Sequence, residues 1–366
     1  MADAPWHDGS MSQIWYADAA RHRTAPPLPG AARDFHASLP GYAPTPLVEV
    51  PELAAELGVA AVWVKDESAR LGIAAFKILG ASWAVARLVA ERTGAAVTDL
   101  DSLRRAAAGS GIELVTATDG NHGRAVARMA RLLGLPATVF LPAVTEPATR
   151  AAIAAEGAHV VQIDSHYDDA VASAAQHARQ GAGRELVQDT AWEGYEQAPA
   201  WIVEGYDTLL AEIDAQLGRA PDLVAVPVGV GSLAQAVVAH YPPTTAVLSV
   251  EPDTAACLLA SLRAGDRVSV PTADTVMAGL NCGTVSSLAW PVLRDGCDAA
   301  VTVTDSAARR AGTDLRGLGF SSGPTGAATL AGVRAALGSP DHRVRLGLDA
   351  SAVIVVLNTE GAAEDR

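Results

Sequence analysis

Short uninterrupted apolar runs alternate along this chain with segments whose apolar residues recur at helical spacing. "AVWVK" at 61–65, "IELVTAT" at 112–118, "ATVFL" at 137–141 and "AHVVQI" at 158–163 read as strands. So do "LVAVPV" at 223–228, "AVLSVE" at 246–251, "AAVTV" at 299–303 and "AVIVVLN" at 352–358. Helical spacing marks "FKILGASWAVARLVAER" at 76–92, "NHGRAVARMARLLG" at 121–134, "EPATRAAIAAEG" at 146–157 and "YDDAVASAAQHARQ" at 167–180. A strand that is apolar at successive positions is buried on both faces, as in a parallel sheet covered by helices. The pattern predicts an α/β chain with two open wound, mostly parallel sheets. The αβ units from about 112 to 188 form one group, and the segments on either side read as a second sheet. A small domain, 88–188, is therefore expected inside a larger one made of 1–87 and 189–366.

Composition narrows the classes without changing that picture. The chain has 366 residues, 49% hydrophobic and 19% charged, enough for two cored domains. A net charge of −14 argues against a nucleic-acid surface, which needs a basic face toward phosphates. The first 30 residues hold no continuous apolar leader core, and no uncharged run long enough to span a membrane occurs, so a cytoplasmic protein is expected. Cys257, Cys282 and Cys297 lack CxxC spacing, which argues against a structural zinc and leaves three buried thiols as the plain expectation. No metal is expected.

Lysine occurs only twice, at Lys65 and Lys77, while every other basic position is arginine. Lys77 opens a helical pattern among Ala74, Ala75, Phe76, Ile78, Leu79 and Gly80. Burial there disfavours the ammonium and favours a neutral amine, which can condense with an aldehyde as a guanidinium cannot. The ordinary alternative is a helix lysine whose ammonium reaches solvent.

Three turns join predicted strands to helices. "TATDGNHGRA" at 116–125 directs backbone N–H groups to one spot, suited to a carboxylate, with Asn121 and His122 in the first helical turn. Asp119 could serve there as a plain N-cap. "VPVGVGSLAQAV" at 226–237 places Gly229 and Gly231 where backbone can approach a phosphate, with Ser232 adding a hydroxyl, or else forms a simple tight turn. It is neither a Walker A loop nor a full GxGxxG. "GFSSGPTGAATLAGV" at 319–333 offers Ser321, Ser322 and Thr325, to a ligand or as helix caps. Asp189 follows a predicted strand, where an acid lines a crevice or caps the next helix.

Together these pieces resemble the fold-type II pyridoxal-phosphate enzymes, the superfamily of the tryptophan synthase β-subunit and threonine dehydratase. They are most similar to the diaminopropionate ammonia-lyase family. The likeness is carried by "VKDESARLGIAAFKILGAS", "TATDGNHGRAVA", "VQDTAWEGYEQAPAWIVEGYDTL", "VGVGSLA", "VEPDTAAC", "VMAGLNCG" and "VLNTEG", in the family's order from about residue 40 to the end. The resemblance implies that Lys77 holds pyridoxal 5'-phosphate covalently and that Asn121 meets the ring's 3′ oxygen. Gly229, Val230, Gly231, Ser232 and Leu233 would wrap the phosphate, and Thr325 would face the pyridine nitrogen. Asp119 aligns with a second acid/base group and Asp189 with an acid that supports it; Thr118, Asp119, Gly120 and His122 would meet the substrate. Also implied are a homodimer, conversion of 2,3-diaminopropionate of either configuration to pyruvate and ammonia, and a cysteine pair at Cys257 and Cys282 that could form a disulfide. A dehydratase of serine or threonine, or a β-replacement synthase, would use the same cofactor. The chain departs from the family at "AAFKILGAS", which lacks the usual Asn before Phe–Lys, and at "GFSSGPTGA", where proline and threonine stand for glutamate and serine.

Overall fold

The computed structural model describes residues 12–17, 23 and 25–362; the reading of the first 11 positions lies outside it. Among the described residues eleven strands form two sheets. They are β1 (Ile14–Tyr16), β2 (Leu47–Glu49), β3 (Ala61–Asp66), β4 (Glu113–Ala117), β5 (Ala137–Pro142), β6 (His159–Ile163), β7 (Arg184–Leu186), β8 (Leu223–Pro227), β9 (Ala246–Pro252), β10 (Ala299–Val303) and β11 (Val353–Asn358). The larger sheet runs β1-β10-β9-β8-β11-β3-β2 and the smaller β6-β5-β4-β7. All pairings are parallel except at the two edges of the larger sheet, where β1 and β2 lie antiparallel to β10 and β3. The eight apolar runs each become a strand, and β5, β8, β9 and β10 are buried at every position, as runs without alternation require. The short β1, β2 and β7 carry no period in the sequence; β1 and β2 are edge strands of three residues.

The helix Lys77–Thr93 crosses Gln197–Leu217 at very short range. A Cβ on Gly80 would stand 2.6 Å from the Tyr206 ring, and one on Gly205 would stand 2.5 Å from the Leu79 carbonyl. Only glycine at both positions lets the helices approach so closely, and that approach fixes the helix that begins with Lys77. Lys65, the other lysine, is fully buried and serves the frame. Its ammonium donates to Glu212 Oε2 at 2.8 Å, the Thr45 carbonyl at 2.8 Å and Gln216 Oε1 at 3.0 Å. Arg70 joins the same group, donating to Glu212 at 2.7 Å and to Glu67 at 2.6 Å. These pairs bind the segment leading to Lys77 onto the Gln197–Leu217 helix.

Helix Ser232–His240 is held at its far end between two carboxylates. His240 Nδ1 lies 2.6 Å from Asp207 Oδ1 and Nε2 lies 2.8 Å from Asp214 Oδ2. Burial alone would lower this imidazole's pKa, but the two carboxylates prevail and raise it to about 9. A pKa raised above its unfolded value stabilises the fold below about 6.5, and the contribution is lost as pH rises through 9. Unfolding free energy from denaturant titration is expected to fall by about 2 kcal/mol between pH 6.5 and 9.5. His240→Gln is expected to remove that slope.

Candidate active site

The site lies where the C-terminal ends of β4, β8 and β11 face the start of helix Lys77–Thr93. Segments 118–122, 229–233 and 359–360 line one pocket with Lys77, Tyr167, Asp189, Cys282 and Thr325. This is the crevice at the carboxyl ends of parallel strands. Every residue singled out in the three turns and at positions 77 and 189 is brought there, except Ser321 and Ser322.

Lys77 Nζ donates to Asp189 Oδ2 at 2.5 Å. The neutral amine expected from burial is corrected by this contact. Desolvation acts to lower the lysine's pKa, but the charges of Asp189 and Tyr206 and the Asp189 hydrogen bond outweigh it, and the net shift is upward. The partner stands 112 positions away in the chain. Asp189 is raised by burial but lowered more by Lys77 and His122, to about 2, so it remains a carboxylate. The helix after it is capped at Glu196 with no side-chain bond, so Asp189 is no cap.

Asp119 behaves oppositely. Burial and the Asp189 charge raise its pKa to about 7, against the lowering effect of Lys77. Its carboxyl caps nothing either, because the N-cap of helix Asn121–Leu133 is Gly120. Two carboxyl groups in one pocket therefore differ by several pH units in where they ionise, the pattern that separates an exchanging acid/base from a fixed charge. Thr118 shapes the turn by accepting from the Gly120 N–H at 2.9 Å. His122 Nε2 lies 2.8 Å from the Val187 carbonyl and so carries the proton it donates. Burial lowers this imidazole's pKa, leaving buried Nδ1 an acceptor with no partner among the described residues.

The turn after β8 is built as a cradle. Gly231 has φ +95, open to glycine and strained for other residues. A Cβ on Gly229 would come within 3.0 Å of the Gly279 carbonyl and 3.1 Å of Cys282 Sγ. Helix Ser232–His240 starts here, and its first-turn amides have no partner within the helix. The Ser232 hydroxyl donates to the Asp189 carbonyl at 2.6 Å, tying cradle to acid, so its N–H is what it offers an anion. Thr325 is buried in the first turn of helix Pro324–Leu337, whose N-cap is Gly323 without a side-chain bond. Cys257, Cys282 and Cys297 are buried and none is disulfide-bonded, so the disulfide implied for the first two is not formed.

Sequence reasoning missed Tyr167, Thr359 and Glu360 as pocket residues. Tyr167 opens helix Tyr167–Gln180, and its phenol accepts from Gln188 Nε2 at 2.9 Å. Thr359 and Glu360 follow β11, the position from which any parallel strand delivers residues to a crevice; that rule would have flagged them. No helix of the described residues is long and apolar enough to cross a membrane.

Comparison with known proteins places these features in context. Residues 38–360 match the family described as "Pyridoxal-phosphate dependent enzyme". The diaminopropionate ammonia-lyase of Escherichia coli K12 is 36% identical over 99% of this chain and 93% of its own length. That of Salmonella typhimurium LT2 is 38% identical over 89% of this chain and 87% of its own. A crystal structure of the Escherichia coli enzyme, in complex with an aminoacrylate-PLP azomethine reaction intermediate, superposes with a TM-score of 0.85. It is 34% identical, covering 96% of this chain and 94% of that one.

Proposed function

This chain belongs to the diaminopropionate ammonia-lyase family of the pyridoxal-phosphate dependent enzymes, and we propose that it eliminates ammonia from 2,3-diaminopropionate or a close β-substituted amino acid, giving pyruvate or an analogous 2-oxo acid. D and L configurations are both candidates. The observation that carries the reading is Asp119, a pocket carboxyl with a pKa near 7 beside an ion-paired lysine.

The residues fit pyridoxal phosphate. A phosphate group suits a turn whose glycines leave no room for a Cβ and whose helix amides face outward. The aldehyde suits the one lysine of the pocket, and a polar heteroaromatic ring suits a lining that includes the hydroxyl of Thr325 and the amide of Asn121. Lys77 would hold the group, residues 229–233 its phosphate, Asn121 its 3′ oxygen and Thr325 its ring nitrogen. When bound, it supplies a sink for the electron pair left at the substrate's α-carbon.

The chain's own groups divide the remaining work. Lys77 and Asp119 are the two groups placed to move the α-proton, one for each configuration. Asp189, ionised at any working pH, orients the lysine and does not take its proton. The pocket walls carry the two carboxyl groups of Asp119 and Asp189 beside the one ammonium of Lys77, a lining that favours a substrate bearing a second ammonium group. A β-ammonium departs as ammonia without a further proton donor, so keeping it charged assists its departure. A serine hydroxyl gains nothing from that lining. We also place the domain division at 87/88 and 188/189, although helix Lys77–Thr93 runs through the first of these, and propose a cytoplasmic homodimer.

Purified protein loaded with pyridoxal phosphate is expected to form two ammonia for each pyruvate from D- or L-diaminopropionate, one from the β-carbon and one from hydrolysis of the resulting imine. Turnover of serine and threonine is expected to be at least about tenfold slower, the scale of one lost charge-assisted contact. Faster turnover of serine, or product only with an added nucleophile, would replace the reading with a dehydratase or a synthase.

A further inference from the structure

Glu360 lies two residues beyond β11 and is only 3% exposed, yet its side chain reaches the wall of the site. Its backbone is held from both sides. The carbonyl accepts from the Gly323 N–H at 3.1 Å, and the residue forms an antiparallel bridge with Ala75, two positions before Lys77. From that fixed position Oε2 accepts a hydrogen bond from Asn121 Nδ2 at 2.7 Å.

The chemistry of that pair is asymmetric. A carboxylate only accepts, whereas an amide side chain has a donating end and an accepting end. Asn121 can meet Glu360 only with its NH2 group, because the flipped amide would set Oδ1 against a carboxylate oxygen. One N–H of Nδ2 is thereby committed, and the other diverges from it. A bond to a charged acceptor also polarises the amide and makes the remaining N–H a stronger donor.

We propose that Glu360 is a positioning residue that locks the side-chain amide of Asn121 so that its second N–H is presented to the 3′ oxygen of bound pyridoxal phosphate. The inference rests on the cofactor reading of the site and adds the group that sets the asparagine's orientation. Glu360 does not itself meet the substrate in this account. It acts through Asn121, and the sensitive quantity is the ionisation of the bound cofactor.

The test is a double-mutant cycle on the loaded protein with Glu360→Gln, Asn121→Ala and the double variant. The readouts are the pH midpoint of the bound cofactor's visible absorbance and the dissociation constant for pyridoxal phosphate. Glu360→Gln can present either end to Asn121 and so releases the lock. It is expected to move the midpoint in the direction that Asn121→Ala does, by about half a pH unit or more. It should weaken cofactor binding about tenfold, the scale of a lost charge-assisted bond. On the Asn121→Ala background the same change should add less than about twofold, since the two residues act as one unit. A wild-type midpoint and affinity in Glu360→Gln, or an equal effect on both backgrounds, would overturn the proposal. Should Glu360→Gln fail to fold, Glu360→Asp withdraws the carboxylate by one methylene. A smaller shift in the same direction then supports the lock, and an unchanged midpoint overturns it. No amino-acid substrate enters either readout. A protein that binds the cofactor normally but releases no ammonia would end the functional proposal and leave this one intact.

Discussion

Replacing Lys77 by alanine is expected to remove the visible absorbance of the cofactor-loaded protein and to lower pyruvate formation from both isomers by roughly 10³-fold or more, the scale of a lost acid/base group. Lysine and arginine side chains differ in chemical type. Both Lys77 and an arginine in its place could pair with Asp189, but a guanidinium stays protonated and cannot condense with an aldehyde. Lys77→Arg is therefore the stricter variant. It keeps the positive charge that Asp189 demands in the buried pocket and should fold, while losing absorbance and turnover as completely as the alanine variant. Asp189 should make the alanine variant the less stable of the two, because its carboxylate would be left buried without its partner. Absorbance spectra, stopped assays and thermal unfolding on the two variants separate the chemical loss from the structural one.

Asp119→Asn is expected to impair the D-isomer by about 10²-fold or more while changing the L-isomer by less than about tenfold. The division follows from two proton-moving groups on different elements, one opening helix Lys77–Thr93 and one at the end of β4. The pH dependence gives an independent reading. Asp119 must be ionised to accept a proton, and its pKa is about 7, so kcat/KM for the D-isomer should rise with pH through 7 and flatten above it. A raised carboxyl pKa means that the folded protein binds its proton more tightly than the unfolded chain. Ionised Asp119 therefore costs stability as pH rises from 3.8 toward 7. Asp119→Asn removes that cost and should raise the unfolding temperature at pH 8. Equal loss of both isomers would refute the division of labour, and the stability gain would show that the variant is folded.

Much of this was legible because local patterns carry it. Strands such as β8, β9 and β10 announce themselves as unbroken apolar runs, since both faces are covered by helices. The turns at 116–125 and 226–237 could be read as anion-facing because strand-to-helix junctions point amides the same way in any parallel sheet. What was not legible depended on distant partners. The apolar surroundings of Lys77 showed in its neighbours, but the Asp189 carboxylate that reverses their consequence is 112 positions away. The Asn121–Glu360 bond joins residues 239 positions apart, and nothing local to either marks it. Asp119, Asp189 and Thr325 each had a capping alternative that only the observed caps, at Gly120, Glu196 and Gly323, could remove. The three-residue edge strands β1 and β2 were hidden for a simpler reason, being too short to display a period.

The most direct test uses the scarcity of lysine. The loaded protein is reduced with borohydride, digested and mapped by mass spectrometry. Only two lysines compete for the label, and Lys65 is sealed in the frame against Glu212. A pyridoxyl group is expected on the peptide that contains Lys77 and none on the peptide that contains Lys65. A label on Lys65, or on neither lysine, would contradict the assignment of Lys77.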